Sequence, residues 1–193
     1  METTRFETFF DAIIAIIITI LVLKISQPAS PTLDAFLQLN PMYVAYFISF
    51  LILYNIWYAN HNLFQMVDEI DNTSLWIYGT MTFVISLLPY FTIWLAKYVY
   101  SIPAETMFGL LFIITHILNT LATHSIYRSN PYNEKLQSLN YTSKLNHIPA
   151  VILIIGFILT YTVYVPGIYF CCLISIVLWI FIGRYLRRHS DGN

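Results

Sequence analysis

Six apolar stretches of membrane length, Arg5–Ile25, Met42–Met66, Ser74–Tyr98, Met107–Tyr127, Ile148–Tyr164 and Ile168–Leu186, take up most of the chain. About 20 residues of helix cross the ~30 Å hydrocarbon core of a bilayer. Lipid offers no partner for an unpaired backbone N–H or C=O, so stretches of this length must be helices. The sequence therefore predicts an all-α integral membrane protein with six transmembrane helices, one domain over residues 1–193. Composition agrees, since 58% hydrophobic and 10% charged residues with a mean hydropathy of +0.68 cannot be wrapped by a soluble surface.

Basic residues are unevenly shared between the two sides of these spans. Arg5, Arg128, Lys135, Lys144, Arg184, Arg187 and Arg188 fall on one side, against only Lys24 and Lys97 on the other. Basic residues stay cytoplasmic, which puts both termini in the cytoplasm. An odd number of crossings would separate the two basic ends. Linkers are short except for Ser26–Pro41, with Pro28, Pro31 and Pro41 on the outer side, and the cytoplasmic Arg128–His147, with its Asn130-Pro131 turn signal. The N-terminus has a signal-like apolar run, but Glu2, Glu7 and Asp11 and the lack of a small-x-small site before Pro28 argue that this helix stays in the mature protein.

Several function classes fall away at this stage. A net charge of −1 without a long basic run excludes a nucleic-acid role, and Arg187 and Arg188 read as a topology signal. Cys171 and Cys172 are adjacent inside the sixth span, which suits neither a disulfide framework nor a zinc site, and read as apolar filler. Thr115, His116, Asn119, Thr120, Thr123 and His124 form a polar strip at helical spacing on the fourth span. Interhelical hydrogen bonding is its plainer use, because a zinc site or proton relay wants a third ligand that no pattern supplies. Thr162-Val-Tyr-Val-Pro-Gly167 superficially resembles a TVGYG filter, yet it lacks the central glycine and falls between spans, so it reads as a loop. Trp57, Trp76, Trp94 and Trp179 read as interface anchors or packing. Pro89 should kink the third span. No metal or cofactor is expected.

The first span holds the residues that call for explanation. A carboxylate inside a membrane helix costs on the order of 2.5–3.5 kcal/mol even on lenient insertion scales, so Asp11 should face protein or water. Arg5 lies six residues earlier and therefore on another face, leaving each to find a partner on a different helix. At ~1.5 Å per residue, Asp11 and His61 both lie roughly 8–12 Å from the cytoplasmic helix ends, and His61, Asn55 and Asn60 are the nearest candidates by depth.

Arg5-x-x-x-Phe9-Phe10-Asp11 resembles the Arg-x-x-x-Phe-Ser-Asp signature of the transmembrane protein 175 potassium channels. Trp57-Tyr-Ala-Asn60-His61-Asn-Leu-Phe64 is similar to that family's second-helix Trp-x-x-His-His-x-Leu-Phe stretch, and Ser86-Leu-Leu-Pro89-Tyr90 to its third-helix Ser-Leu-Leu-Pro-Phe stretch. The resemblance implies a homotetramer in which the first helix lines a central pore. It also implies a constriction at Ile16, continued outward on the same face by Thr19, Ile20 and Leu23. Monovalent cations, potassium above sodium, would pass this stretch, which is ~10 Å long at 1.5 Å per residue. Arg5, Phe9, Asp11, Asn60 and His61 would form a polar network holding the pore helix, and His61 would be placed to sense pH. Two departures stand out. Phe10 replaces the signature serine, and Asn60 stands where the family often has the first of two histidines, so the network must be rewired.

From residues alone, the stripe Ile16, Thr19, Ile20, Leu23 also suits a lipid-facing or packing surface, with Thr19 bonded to its own i−4 carbonyl. Three functions remain in view: a passive channel of four copies in the plasma membrane, a proton- or cation-coupled transporter using Asp11 and His61, and an intramembrane enzyme for which no nucleophile or metal constellation can be assembled.

Overall fold

The computed structural model describes residues 1–67, 69–134, 136–137 and 148–190, the last twelve of these (179–190) by backbone alone. Lys135, Lys144, most of the Arg128–His147 linker, and the side chains of Trp179, Arg184, Arg187 and Arg188 lie outside the described set. The described residues form eight helices: α1 (Thr3–Leu23), α2 (Leu33–Leu37), α3 (Asn40–Phe64), α4 (Asn72–Ser86), α5 (Leu88–Lys97), α6 (Ile102–Ser129), α7 (Ile148–Thr162) and α8 (Gly167–Ser190).

Among the described residues four segments are long and apolar enough to cross a membrane: Thr3–Leu23, Asn40–Phe64, Asn72–Lys97 and Ile102–Ser129. Two shorter apolar helices follow, Ile148–Thr162 and Gly167–Leu178. The third segment is interrupted, because α4 stops at Ser86 and α5 begins at Leu88 with Pro89 in its first turn. Proline has no N–H to donate to the preceding turn, so the expected kink is a break at Leu87. Local bonds close the gap: Leu87 N–H reaches Val84 O at 3.1 Å, and Tyr90 N–H reaches Leu87 O at 3.1 Å.

Helices α4 and α6 pack together, as do α3 and α5 and the α7–α8 hairpin, which rests on α6 and α3. Helix α1 packs mainly on α3, α5 and α4, at one side of the bundle. Its lower end, the end holding Thr3, is tied to the α3–α4 turn. There Glu2 and Glu69 form an antiparallel bridge, the Met1 ammonium donates to Ile70 O at 3.1 Å, and Ile70 N–H donates to Met1 O at 3.0 Å. Close approach of α7 and α8 depends on Gly156, where a Cβ would lie 2.8 Å from Cys171 Cβ and 3.2 Å from Ile168 Cα.

Candidate functional site

Helix α1 has two opposite faces. Phe6, Phe10, Ile14, Ile17 and Leu21, spaced by three or four residues, are buried against the bundle. Around the other side run Arg5, Phe9, Ala12, Ile16, Thr19, Ile20 and Leu23, none of which its own chain covers. Ile16 is 58% exposed and Leu23 75%. The Thr19 hydroxyl donates to Ala15 O at 2.8 Å, so lone pairs rather than its proton remain for the open side.

Between these faces lies a polar seam with α3. Asp11 Oδ1 accepts the Trp57 indole N–H at 2.9 Å. One turn below, Glu7 Oε1 and His61 Nδ1 are 2.7 Å apart. His61 Nε2 is 2.9 Å from Gln65 Nε2, so both ring nitrogens are engaged. The Trp57 and His61 rings stack with centroids 5.2 Å apart. The partner of Asp11 is thus Trp57 and not His61, Asn55 or Asn60, which corrects the expectation from depth. From sequence, Trp57 reads as an interface anchor or packing residue and Glu7 only as an argument against a signal peptide, so neither is placed in the polar network. Each sits four residues before a residue that is, Asp11 and His61, and two such pairs on antiparallel helices form two rungs.

Asn60 belongs to a different cluster. Fully buried, it donates from Nδ2 to Asn119 Oδ1 at 2.8 Å and accepts the Tyr78 hydroxyl at 2.6 Å. Thr123 also bonds Tyr78, so the polar strip of α6 does tie helices together at these positions. Phe10, in place of the signature serine, is 1% exposed and packs with Phe6, Phe64 and Tyr78, at centroid distances of 6.3, 6.0 and 5.9 Å. The rewiring thus puts an aromatic plug beside Asp11 and moves hydrogen bonding one face round, to Asn60, Tyr78 and Asn119.

Arg5 is exposed on the Ile16 side and makes no hydrogen bond or ion pair among the described residues. Within one chain it therefore stands apart from Asp11 and His61. His116 is half-buried and His124 exposed, and the described residues include no group of three metal-ligating side chains. Val163–Pro166 forms the turn between α7 and α8, as expected for a loop.

Known proteins are similar to this chain in sequence and fold. Residues 5–89, from α1 into the start of α5, match the family described as endosomal/lysosomal potassium channel TMEM175. The chain is 27% identical over 193 residues to a potassium channel of Chryseobacterium sp. (strain P1-3), covering all of both chains. It is 29% identical over 134 residues to a potassium channel of Chamaesiphon minutus, covering 64% of this chain and 66% of that one. The crystal structure of a lysosomal potassium-selective channel TMEM175 homolog from Chamaesiphon minutus has the same fold, with a TM-score of 0.78 over 92% of this chain and 96% of that one at 21% identity. The open α1 stripe, the three motifs in order and these matches together make the chain similar, most clearly over residues 5–89, to the TMEM175 family of potassium channels.

Proposed function

We propose that this chain is a potassium-permeable cation channel, passing potassium above sodium, built from four copies with α1 of each lining a central pore. Each subunit crosses the plasma membrane six times with both termini cytoplasmic, α7 and α8 completing the four longer spans. The observation that carries the reading is the α1 face left uncovered by its own chain, from Arg5 through Ile16 to Leu23. Lipid alone would accept such a face. Matches to proteins named potassium channels favour a pore, and they are not enzymes.

In this assembly the Ile16 side chains form the constriction, followed by Thr19, Ile20 and Leu23. A ring of branched aliphatic groups offers an ion no replacement for its water, so passage requires partial dehydration, which costs potassium less than the smaller sodium. A dry ring also closes by dewetting. Selectivity of this kind needs no carbonyl filter, in keeping with the Val163–Pro166 turn. Arg5, on the same face, would meet neighbouring subunits, while Asp11–Trp57 and Glu7–His61 hold α1 in register with α3. Coupled transport finds little support, since Asp11 and His61 are both engaged at this seam.

Ion flux into liposomes under a potassium gradient and then a sodium gradient, with wild type and Ile16→Asn compared, tests the proposal. Potassium flux above sodium flux, with the ratio falling toward one in the variant, is the expected outcome. No flux from folded, inserted protein would overturn it.

A further inference from the structure

Among the described residues three buried side-chain oxygens have no hydrogen-bond partner, Thr3 Oγ1, Glu105 Oε1 and Ser175 Oγ. Only one of them belongs to an ionisable group. Glu105 is completely buried in the first turn of α6, at the end of the bundle opposite the N-terminus. Its other oxygen, Oε2, accepts the backbone N–H of Tyr169 at 2.9 Å.

That contact has a defined place in the fold. Tyr169 is the third residue of α8, whose first-turn N–H groups have no partner within their own helix. Glu105 supplies one acceptor from α6, and Thr160 Oγ1 supplies the other from α7 by accepting Ile168 N–H at 3.0 Å. The start of α8 is therefore capped by side chains of its two neighbours. Around the carboxyl stand Tyr164 from the α7–α8 turn and Tyr169, Cys171 and Cys172 of α8, all neutral when protonated. No cationic side chain pairs with it among the described residues.

A buried carboxylate with one neutral donor and one bare oxygen is a costly arrangement, and the neutral acid costs far less. Yet the ionised form is the better cap, because a negative charge at a helix N-terminus strengthens the N–H···O bond and meets the helix dipole favourably. We propose that Glu105 is a proton-binding site, separate from the ion pathway, at which uptake of a proton on Oε1 weakens the α6 cap on α8 and its loss restores it. The balance is simple: one proton moves between Oε1 and solvent at that end of the bundle, and no other bond is made or broken.

Infrared difference spectra of the intact protein, taken between acidic and alkaline buffer, should show a protonated-carboxyl band that grows on the acid side and is missing from Glu105→Gln. Amides Ile168 to Cys172 of wild type, corrected for intrinsic exchange, should exchange hydrogen several-fold faster on the acid side. In Glu105→Gln that pH dependence should vanish, while Thr160→Val should speed exchange at all pH values and keep it. Should Glu105→Gln fail to insert, Glu105→Asp must shift the band in frequency. A Glu105 band that never titrates, or a carboxyl ionised throughout, overturns the proposal, as does exchange at α8 that ignores pH. None of these readouts depends on ion flux, so failure here is distinct from failure of the channel reading.

Discussion

Restoring the family serine at position 10 should harm this chain. Phe10 is 1% exposed and touches three other rings, Phe6, Phe64 and Tyr78. In a soluble core, Phe→Ala costs about 3–5 kcal/mol, part of it for transfer from water. Between membrane helices the transfer part is nearly absent, since lipid tails are as apolar as the core. What remains is the cavity. Phe10→Ser removes roughly 100 Å³, which at about 24 cal/mol per Å³ is about 2.4 kcal/mol. The new hydroxyl can bond Phe6 O one turn back, so no unsatisfied polar group is added. A loss of about 2.4 kcal/mol is a factor of roughly 50 in the folding equilibrium. Reversible unfolding in mixed micelles titrated with a denaturing detergent, followed by circular dichroism, measures it. Phe9→Ser, one residue away but 55% exposed on the uncovered face, is the control and should change the isolated subunit little. A shift below ~0.5 kcal/mol for Phe10→Ser, or an equal loss for Phe9→Ser, would refute the aromatic-plug argument.

Other consequences are open to the same measurement. A double-mutant cycle of Trp57→Phe with Asp11→Ala should give a coupling of about 1–2 kcal/mol, as expected for a hydrogen bond at a half-buried seam, and a value near zero would remove that rung. Gly156→Ala should cost about 1–3 kcal/mol because its Cβ meets Cys171 Cβ and the Ile168 backbone, whereas Gly79→Ala, with open space around it, should gain up to about 1 kcal/mol. Asp71 caps α4 just outside the membrane-crossing stretch. Partial burial pushes its carboxyl up, but the Ser74 hydroxyl and N–H, the Ser129 hydroxyl and the Thr73 N–H together hold it below the usual carboxylate value. A lowered value means stability that is present above the ordinary carboxylate range and lost as pH falls through the folded-state value. Unfolding in detergent below about pH 4 should therefore be flatter against pH in Asp71→Asn, which still caps the helix.

Membrane class, helix positions and the two faces of α1 were legible because each depends on properties of a single segment. Apolar length fixes a span, a three-to-four spacing fixes a face, and Pro89 marks where backbone bonding must fail. Partners across helices were not. Pairing Asp11 with Trp57 instead of His61 turns on one helical turn of register between α1 and α3, which depth estimates good to a few ångströms do not resolve. Asn60 lies one position before His61, about 100° round the helix, and so joins Tyr78 and Asn119 instead. Glu105 escaped notice for another reason. An acidic residue in a first turn is ordinary dipole complementarity, and only the return of α8 over α6 turns it into a buried group.

The bond pairs between Met1 and Ile70 have a mechanical meaning for α1. For a helix pinned at its lower end to the α3–α4 turn, sliding along its axis breaks these bonds, whereas a swing or roll about that end keeps them. Taking ~1.5 Å per residue, Ile16 lies about 20 Å from the pin and Leu23 about 30 Å. A swing of ~5° then carries Ile16 sideways by about 1.7 Å and Leu23 by about 2.6 Å. If four copies assemble as proposed, the opening would therefore widen like a cone from a fixed base, with the mouth at Leu23 moving furthest and the proposed Ile16 ring setting how much tilt is needed before water enters.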